Sequence, residues 1–162
     1  MHTVSSGQHH TCVTVHSTVS LAVKCWGRNQ YGQLGYNSID SKGDSAGEME
    51  NLGTVFLDDV RTASAVSAGP HHTCAILDNG KLKCWGLGSK GQLGYDSTDH
   101  KGNEYDEMQR LGTVFLGTDT EKGIDRTAVA VSAGGDGFND KGHTCAILDN
   151  GDLKCWGSNS HG

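Results

Sequence analysis

Cysteine and histidine are the residues of this chain whose types and spacing invite chemistry. Its six cysteines fall as three pairs, and each pair opens on the same triplet: His10-Thr11-Cys12 with Cys25, His72-Thr73-Cys74 with Cys84, and His143-Thr144-Cys145 with Cys155. A thiolate beside an imidazole is a recurring nucleophilic pair. Three equivalent copies argue against that use, because catalytic sites are single and structural staples recur. Zinc is a second candidate, since His and Cys at alternate strand positions share a face. Structural zinc sites, however, usually hold paired cysteines two to four residues apart, whereas these lie ten or more apart. A structural histidine is the plainer reading. Disulfides Cys12–Cys25, Cys74–Cys84 and Cys145–Cys155 are therefore expected, each worth roughly 2.5–3 kcal/mol in the chain-entropy model. Such bonds persist in oxidising surroundings, so the expected location is extracellular, the cell surface or an organelle lumen.

Other candidates are weaker. Acidic inserts carry Asp40, Asp44 and Glu48 in one copy and Asp99, Glu104, Asp106 and Glu107 in the next. Hard carboxylate oxygens on a Gly-rich loop suit Ca²⁺, but these acids do not follow the alternating ligand order of a calcium loop and read as solvated. Gly134 to Asp140 approaches the Gly-Gly-x-Gly-x-Asp calcium repeat, with Asp136 and Asp140 as its acids, yet Asn139 stands where Asp is wanted and the motif occurs once. Trp26, Trp85 and Trp156 could stack on a carbohydrate. Each directly follows the second cysteine of its pair, which favours packing against the disulfide or the next repeat unit. No catalytic residue and no cofactor is expected.

A repeat positions all of these residues. His72 to Gly86 returns as His143 to Gly157, with a looser first copy from His10 to Gly27. The linking segments recur too: Gly32-Gln33-Leu34-Gly35-Tyr36 matches Gly91 to Tyr95, and Leu52 to Leu57 matches Leu111 to Leu116. Trp-to-Trp distances are 59 and 71, and the 12 extra residues fall as two insertions of six, within Gly117–Asp125 and Gly135–Gly142. Units of roughly 1–57, 58–116 and 117–162, the last incomplete, follow from this period. Within each unit Asp-Asn-Gly separates two short β-branched and apolar runs, a hairpin signal. Pairing Cys74 with Cys84 sets Ala75 opposite Lys83, Ile76 opposite Leu82 and Leu77 opposite Lys81. Cys, Ile, Leu and Cys then share one face, expected to be the buried one. The first hairpin departs from this, with a Ser/Thr-rich stretch around His16 to Ser20 in place of the turn.

Composition agrees with an all-β chain: 24 glycines, a single proline at Pro70 and 35% apolar residues. A net charge of −6 without a Lys/Arg run makes nucleic acid a poor partner. No stretch approaches the roughly 20 apolar residues that span a bilayer, so direct membrane insertion is not expected.

The string His-Thr-Cys-Ala-Ile-Leu-Asp-Asn-Gly, followed by Lys-Cys-Trp-Gly and Gly-Gln-Leu-Gly, resembles the repeat of the regulator of chromosome condensation family in its cysteine-containing variety. That resemblance implies a β-propeller, usually of seven blades, each a four-stranded antiparallel sheet. Three hairpin repeats would make a partial propeller, and Gln-Leu-Gly is due where the chain stops. It therefore reads as part of a longer propeller with more blades of the same parent chain as neighbours and a secretory signal upstream. The function expected is a non-enzymatic scaffold that binds other protein subunits. The alternatives are guanine-nucleotide exchange or other small-GTPase regulation, and calcium- or carbohydrate-dependent adhesion.

Overall fold

The computed structural model describes residues 3–16 and 21–160. Three antiparallel three-stranded sheets follow one another along the chain. The first is β1 (Val4–Ser6), β2 (His10–His16) and β3 (Leu21–Gly27), and the second is β4 (Ala63–Ala68), β5 (His72–Leu77) and β6 (Leu82–Gly86). After a single helical turn, α1 (Glu107–Arg110), and a small ribbon of β7 (Thr118–Asp119) and β8 (Ile124–Asp125), the third sheet is β9 (Ala128–Asp136), β10 (Lys141–Leu148) and β11 (Leu153–Gly157). The fourth position is taken by the linker that follows each of the first two sheets, reduced in each case to two isolated bridges: Lys42 pairs with Gly27 and Lys101 with Gly86. Val55 pairs with Val23 and Val114 with Leu82. This is the architecture of successive propeller blades.

The cysteine-bearing hairpins have the register that the turn dictates. Cys74 pairs with Cys84, Ala75 with Lys83 and Ile76 with Leu82, and the third sheet repeats this at Cys145–Cys155, Ala146–Lys154 and Ile147–Leu153. Gly80 closes the loop with φ +76°, and its N–H donates to Leu77 O. All three cross-strand pairs are disulfides with Cα–Cα separations of 4.1 Å. In the first sheet Cys12 lies opposite Cys25. The Ser/Thr-rich turn there, residues 17–20, lies outside the described residues.

Burial departs from the sequence expectation in one respect. The Cys/Ile/Leu/Cys face is sealed in the second sheet, with Ile76 3% and Leu82 0% exposed, but in the third sheet Ile147 is 43% and Leu153 66% exposed. The side chains are the same, so the neighbour makes the difference. Cys74, Ile76, Leu82 and Cys84 pack against Ala128, Ala146 and Leu148 of the following sheet, and the corresponding face of the third sheet has no sheet over it among the described residues. The first two cysteine faces are each buried by the next sheet along the chain.

A hydrogen-bond lock repeats at both sheet junctions. At the first, His10 Nε2 lies 2.8 Å from Thr73 Oγ1, and Gln33 O accepts from Thr73 Oγ1 at 2.8 Å and from Trp85 Nε1 at 3.0 Å. At the second, His72 Nε2 lies 3.0 Å from Thr144 Oγ1, and Gln92 O accepts from Thr144 Oγ1 and Trp156 Nε1. The Thr hydroxyl has one proton and gives it to the Gln carbonyl, so the His Nε2–H is the donor to Thr. A serine adds a fourth bond: Ser5 Oγ accepts from Ala68 N, and Ser67 Oγ from Ala133 N. Gly-Gln-Leu-Gly thus has a physical reading. Gln supplies the carbonyl, Leu34 and Leu93 fill the core, and a Cβ on Gly35 or Gly94 would press within 2.8 or 2.7 Å of a Trp Nε1.

The tryptophans correct the expected packing. Neighbouring strand positions face opposite ways, so Trp85, next to Cys84, points away from its own disulfide. It packs on the Gly32–Gly35 turn of the preceding unit.

Candidate protein-interaction rim

The connection from first to second strand is short in two sheets, Gly7 to His9 and Gly69 to His71. In the third it is a projecting hairpin. There β9 runs on to Asp136 and β10 begins at Lys141, with Asp136 opposite Lys141. The six-residue insertion is therefore ordered strand and turn: Asn139 N donates to Asp136 Oδ1 at 3.2 Å, and Asp140 adopts φ +54°. The other insertion is also a hairpin, β7–β8. Its Asp119 is raised by burial but more strongly lowered by N–H bonds from Lys122 and Glu121 and by the charges of Arg126 and Lys122.

Other repeats hold the projecting hairpin from the side. His71 Nε2 lies 3.2 Å from Gly137 O and Tyr31 Oη donates to Asp140 Oδ1 at 3.4 Å, while Gly137 lies so close to the Gln8 amide that a Cβ would overlap it. The His71 ring is buried and lies 6.2 Å from His9 and 5.4 Å from Tyr31, whose other neighbour, His100, is at 5.3 Å. At the tip Phe138 is 92% exposed. An aromatic side chain is thus presented to solvent on a backbone braced by three residues from the other repeats.

Beneath the rim lie the lock histidines. Burial, reinforced by the charges of His71 and His9, lowers the His10 pKa to about 4. Burial lowers that of His72 to about 3, with His10, His143 and His71 adding to the effect and a backbone bond at His143 opposing it. Both rings are therefore neutral near pH 7, with the ring proton on Nε2.

The acidic candidates do not come together. Glu48 Oε2 accepts N–H bonds from Gly43, Asp44 and Ser45, which with Lys42 hold its pKa down, although desolvation opposes them. Glu107 Oε2 accepts N–H bonds from Gly102, Asn103 and Glu104, and its Oε1 pairs with Lys101 at 3.2 Å. Each insert so folds around its own glutamate. Asp40 and Asp44 are exposed on the first insert, Asp99 and Glu104 on the second, and Asp106 precedes α1 with φ +58°. Asp136 and Asp140 belong to the projecting hairpin. Among the described residues no group of three or more His, Cys, Asp or Glu side chains is placed to hold a metal ion, and every cysteine is in a disulfide.

Tyr31, His71 and Phe138 were not singled out by sequence reasoning. The available signal was an aromatic residue inside an insertion present in only one copy.

Comparison with known proteins agrees with this architecture. The family profile described as the Regulator of chromosome condensation (RCC1) repeat matches residues 63–92 and 141–162. The human probable E3 ubiquitin-protein ligase HERC4 is 31% identical over 134 residues, covering 82% of this chain and 11% of that protein. The chain thus spans about a tenth of that relative's length. Among solved structures, human WBSCR16 superposes with TM-score 0.67 at 22% identity, covering 98% of this chain and 34% of the other. Prp20p of Saccharomyces cerevisiae, studied for its binding to Gsp1p and histones, superposes with TM-score 0.62 at 20% identity, covering 96% and 32%.

Proposed function

The chain is built of repeats of the regulator of chromosome condensation (RCC1) family in its disulfide-bearing variety, and we propose that it is a non-enzymatic protein-binding module working in an oxidising compartment. The observation that carries the reading is Phe138, a large aromatic side chain left in solvent on a hairpin that His71, Tyr31 and Gln8 hold in place. Hot spots at protein interfaces are enriched in aromatic anchors, and an anchor ordered before binding avoids part of the entropy cost of association. Three disulfides supply the reason for an oxidising location. The binding properties of Prp20p toward Gsp1p and histones support this reading of the fold, without naming a partner for this chain.

The test is affinity capture from an extracellular or luminal extract with the unreduced chain as bait. Wild type and the Tyr105→Ser variant, which alters an equally exposed ring elsewhere, should enrich the same protein. Phe138→Ser should lose it. Equal capture by all three would remove the rim from the binding role, and accelerated release of a GTPase-bound nucleotide would favour an exchange factor instead.

A further inference from the structure

The chain has four tyrosines, and three of them spend their hydroxyls inside the fold. Tyr31 Oη donates to Asp140 Oδ1, Tyr36 Oη bonds the Cys25 backbone and Gly53 O, and Tyr95 Oη bonds Cys84 N and Gly112 O. Tyr105 is the exception. Its side chain is 89% exposed, and its hydroxyl has no partner among the described residues. The backbone beneath it is fixed: Glu107 Oε2 gathers the N–H groups of Gly102, Asn103 and Glu104, Asp106 adopts φ +58°, and Arg110 donates to the carbonyls of Tyr105 and Asp106. The same position of the first insert is Ala46, in a loop that Glu48 closes in the same way. The insert therefore folds without an aromatic ring there.

Carboxylates flank this free phenol on both sides, in Glu104-Tyr105-Asp106. Glu104 is exposed and Asp106 half-buried, and neither pairs with a cation among the described residues. Asp99 adds a third carboxylate on the same insert, 75% exposed and 4.0 Å from Lys101. A nucleophilic oxygen is thus held in solvent, on an ordered loop, between unpaired negative charges.

We propose that Tyr105 is the acceptor of a sulfuryl group, delivered in the secretory lumen by a sulfotransferase from a nucleotide phosphosulfate. An enzyme that binds so anionic a donor is basic at its site, and carboxylates on either side of the acceptor are the complementary charge. The phenolic oxygen attacks sulfur, and the new O–S bond forms as the bond from sulfur to the phosphate oxygen breaks. The phenolic proton passes to a base of the transferase and the nucleotide phosphate leaves, with no atom changing oxidation state. The product is an aryl sulfate ester that adds a permanent negative charge beside Glu104 and Asp106. This inference rests on the oxidising-compartment reading and uses none of the rim's residues.

The experiment incubates the unreduced full chain with a tyrosylprotein sulfotransferase and a nucleotide phosphosulfate carrying radioactive sulfur, and locates the label by peptide mass spectrometry. Wild type should gain a single sulfuryl group, on Tyr105, and Tyr105→Phe should gain none. Glu104→Gln combined with Asp106→Asn, where Asn tolerates the left-handed backbone, should slow labelling by about tenfold with the circular dichroism spectrum of wild type. An unlabelled wild type, label on another tyrosine, or a double variant as fast as wild type would overturn the proposal. The compartment is read separately, on the chain taken from its own cells. Free thiols there would overturn the oxidising address and the modification with it, whereas intact disulfides beside a bare or phosphorylated Tyr105 would overturn the sulfate alone.

Discussion

Acid should weaken this fold well before its carboxylates titrate, and the amount can be worked from the junctions. His10 and His72 are buried as neutral donors, with pKa values lowered from 6.5 to about 4 and about 3. In the unfolded chain both rings take up a proton as the pH falls through 6.5, while in the folded chain they remain neutral. Protonation therefore favours unfolding: stability is complete above about pH 6.5 and declines as the pH falls toward the folded values. At about 1.4 kcal/mol per pH unit, lowering the pH to about 5 removes about 2 kcal/mol for each histidine and about 4 kcal/mol for the pair. Against the roughly 5–15 kcal/mol of an ordinary domain this is a large share. Glu48 and Asp119, both lowered from 4.5 and 3.8, contribute only at lower pH. Urea unfolding followed by tryptophan fluorescence near pH 7, 6 and 5 reads the loss. His72→Gln keeps a neutral donor toward Thr144 Oγ1 and should remove about half of the pH dependence, and His10→Gln with His72→Gln should flatten it. Stability unchanged down to pH 5, or a double variant with the wild-type slope, would refute the assignment of these rings as neutral lock donors.

Three further outcomes follow from burial and bonding. Thr73→Val leaves His10 Nε2–H unanswered and removes one donor from Gln33 O, and should cost about 2 kcal/mol in urea unfolding, whereas Thr11→Val at the uncovered face should fall within about 0.5 kcal/mol. Lys83 is buried with its pKa lowered to about 8 by desolvation, against the pull of Asp58, and donates to Leu57 O and Met108 O. Lys83→Met orphans two carbonyls and should lower stability by about 2 kcal/mol or more, read as a fall in melting temperature. The disulfides should differ in reactivity, because Cys155 is exposed while Cys12, Cys25, Cys74 and Cys84 are fully buried. Mild reductant under native conditions, followed by alkylation and mass spectrometry, should label Cys145 and Cys155 first.

Much of the architecture was legible because each repeat contains its own instructions. The Asp78-Asn79-Gly80 turn and the ten-residue cysteine spacing determine the hairpin register locally, and a twofold side-chain period then assigns Cys74, Ile76, Leu82 and Cys84 to one face. What stayed hidden depends on partners distant in the chain. Nothing local says that Trp85 bonds the Gln33 carbonyl 52 residues earlier. Nor does the motif show that the histidine opening His-Thr-Cys donates forward to the threonine of the next copy. The projecting hairpin escaped for the same reason: Gly135 to Gly142 reads as a loop insertion, and its bracing by His71 and Tyr31 comes from two other repeats.

The same dependence on neighbours separates local sequence from burial. Ile76 and Ile147 occupy the same place in identical His-Thr-Cys-Ala-Ile-Leu strings, yet one is 3% and the other 43% exposed. Composition and propensity cannot distinguish them; only the sheet stacked on top can. Because the lock runs one way, with Ser Oγ and the Gln carbonyl accepting from the N–H, Thr and Trp of the following sheet and His donating to its Thr, the two sides of every junction are unlike. A single sheet can neither satisfy both of its own faces nor pair with an identical face. Stability therefore belongs to the junctions, which is why the histidines buried between sheets are where small changes should have their largest effect.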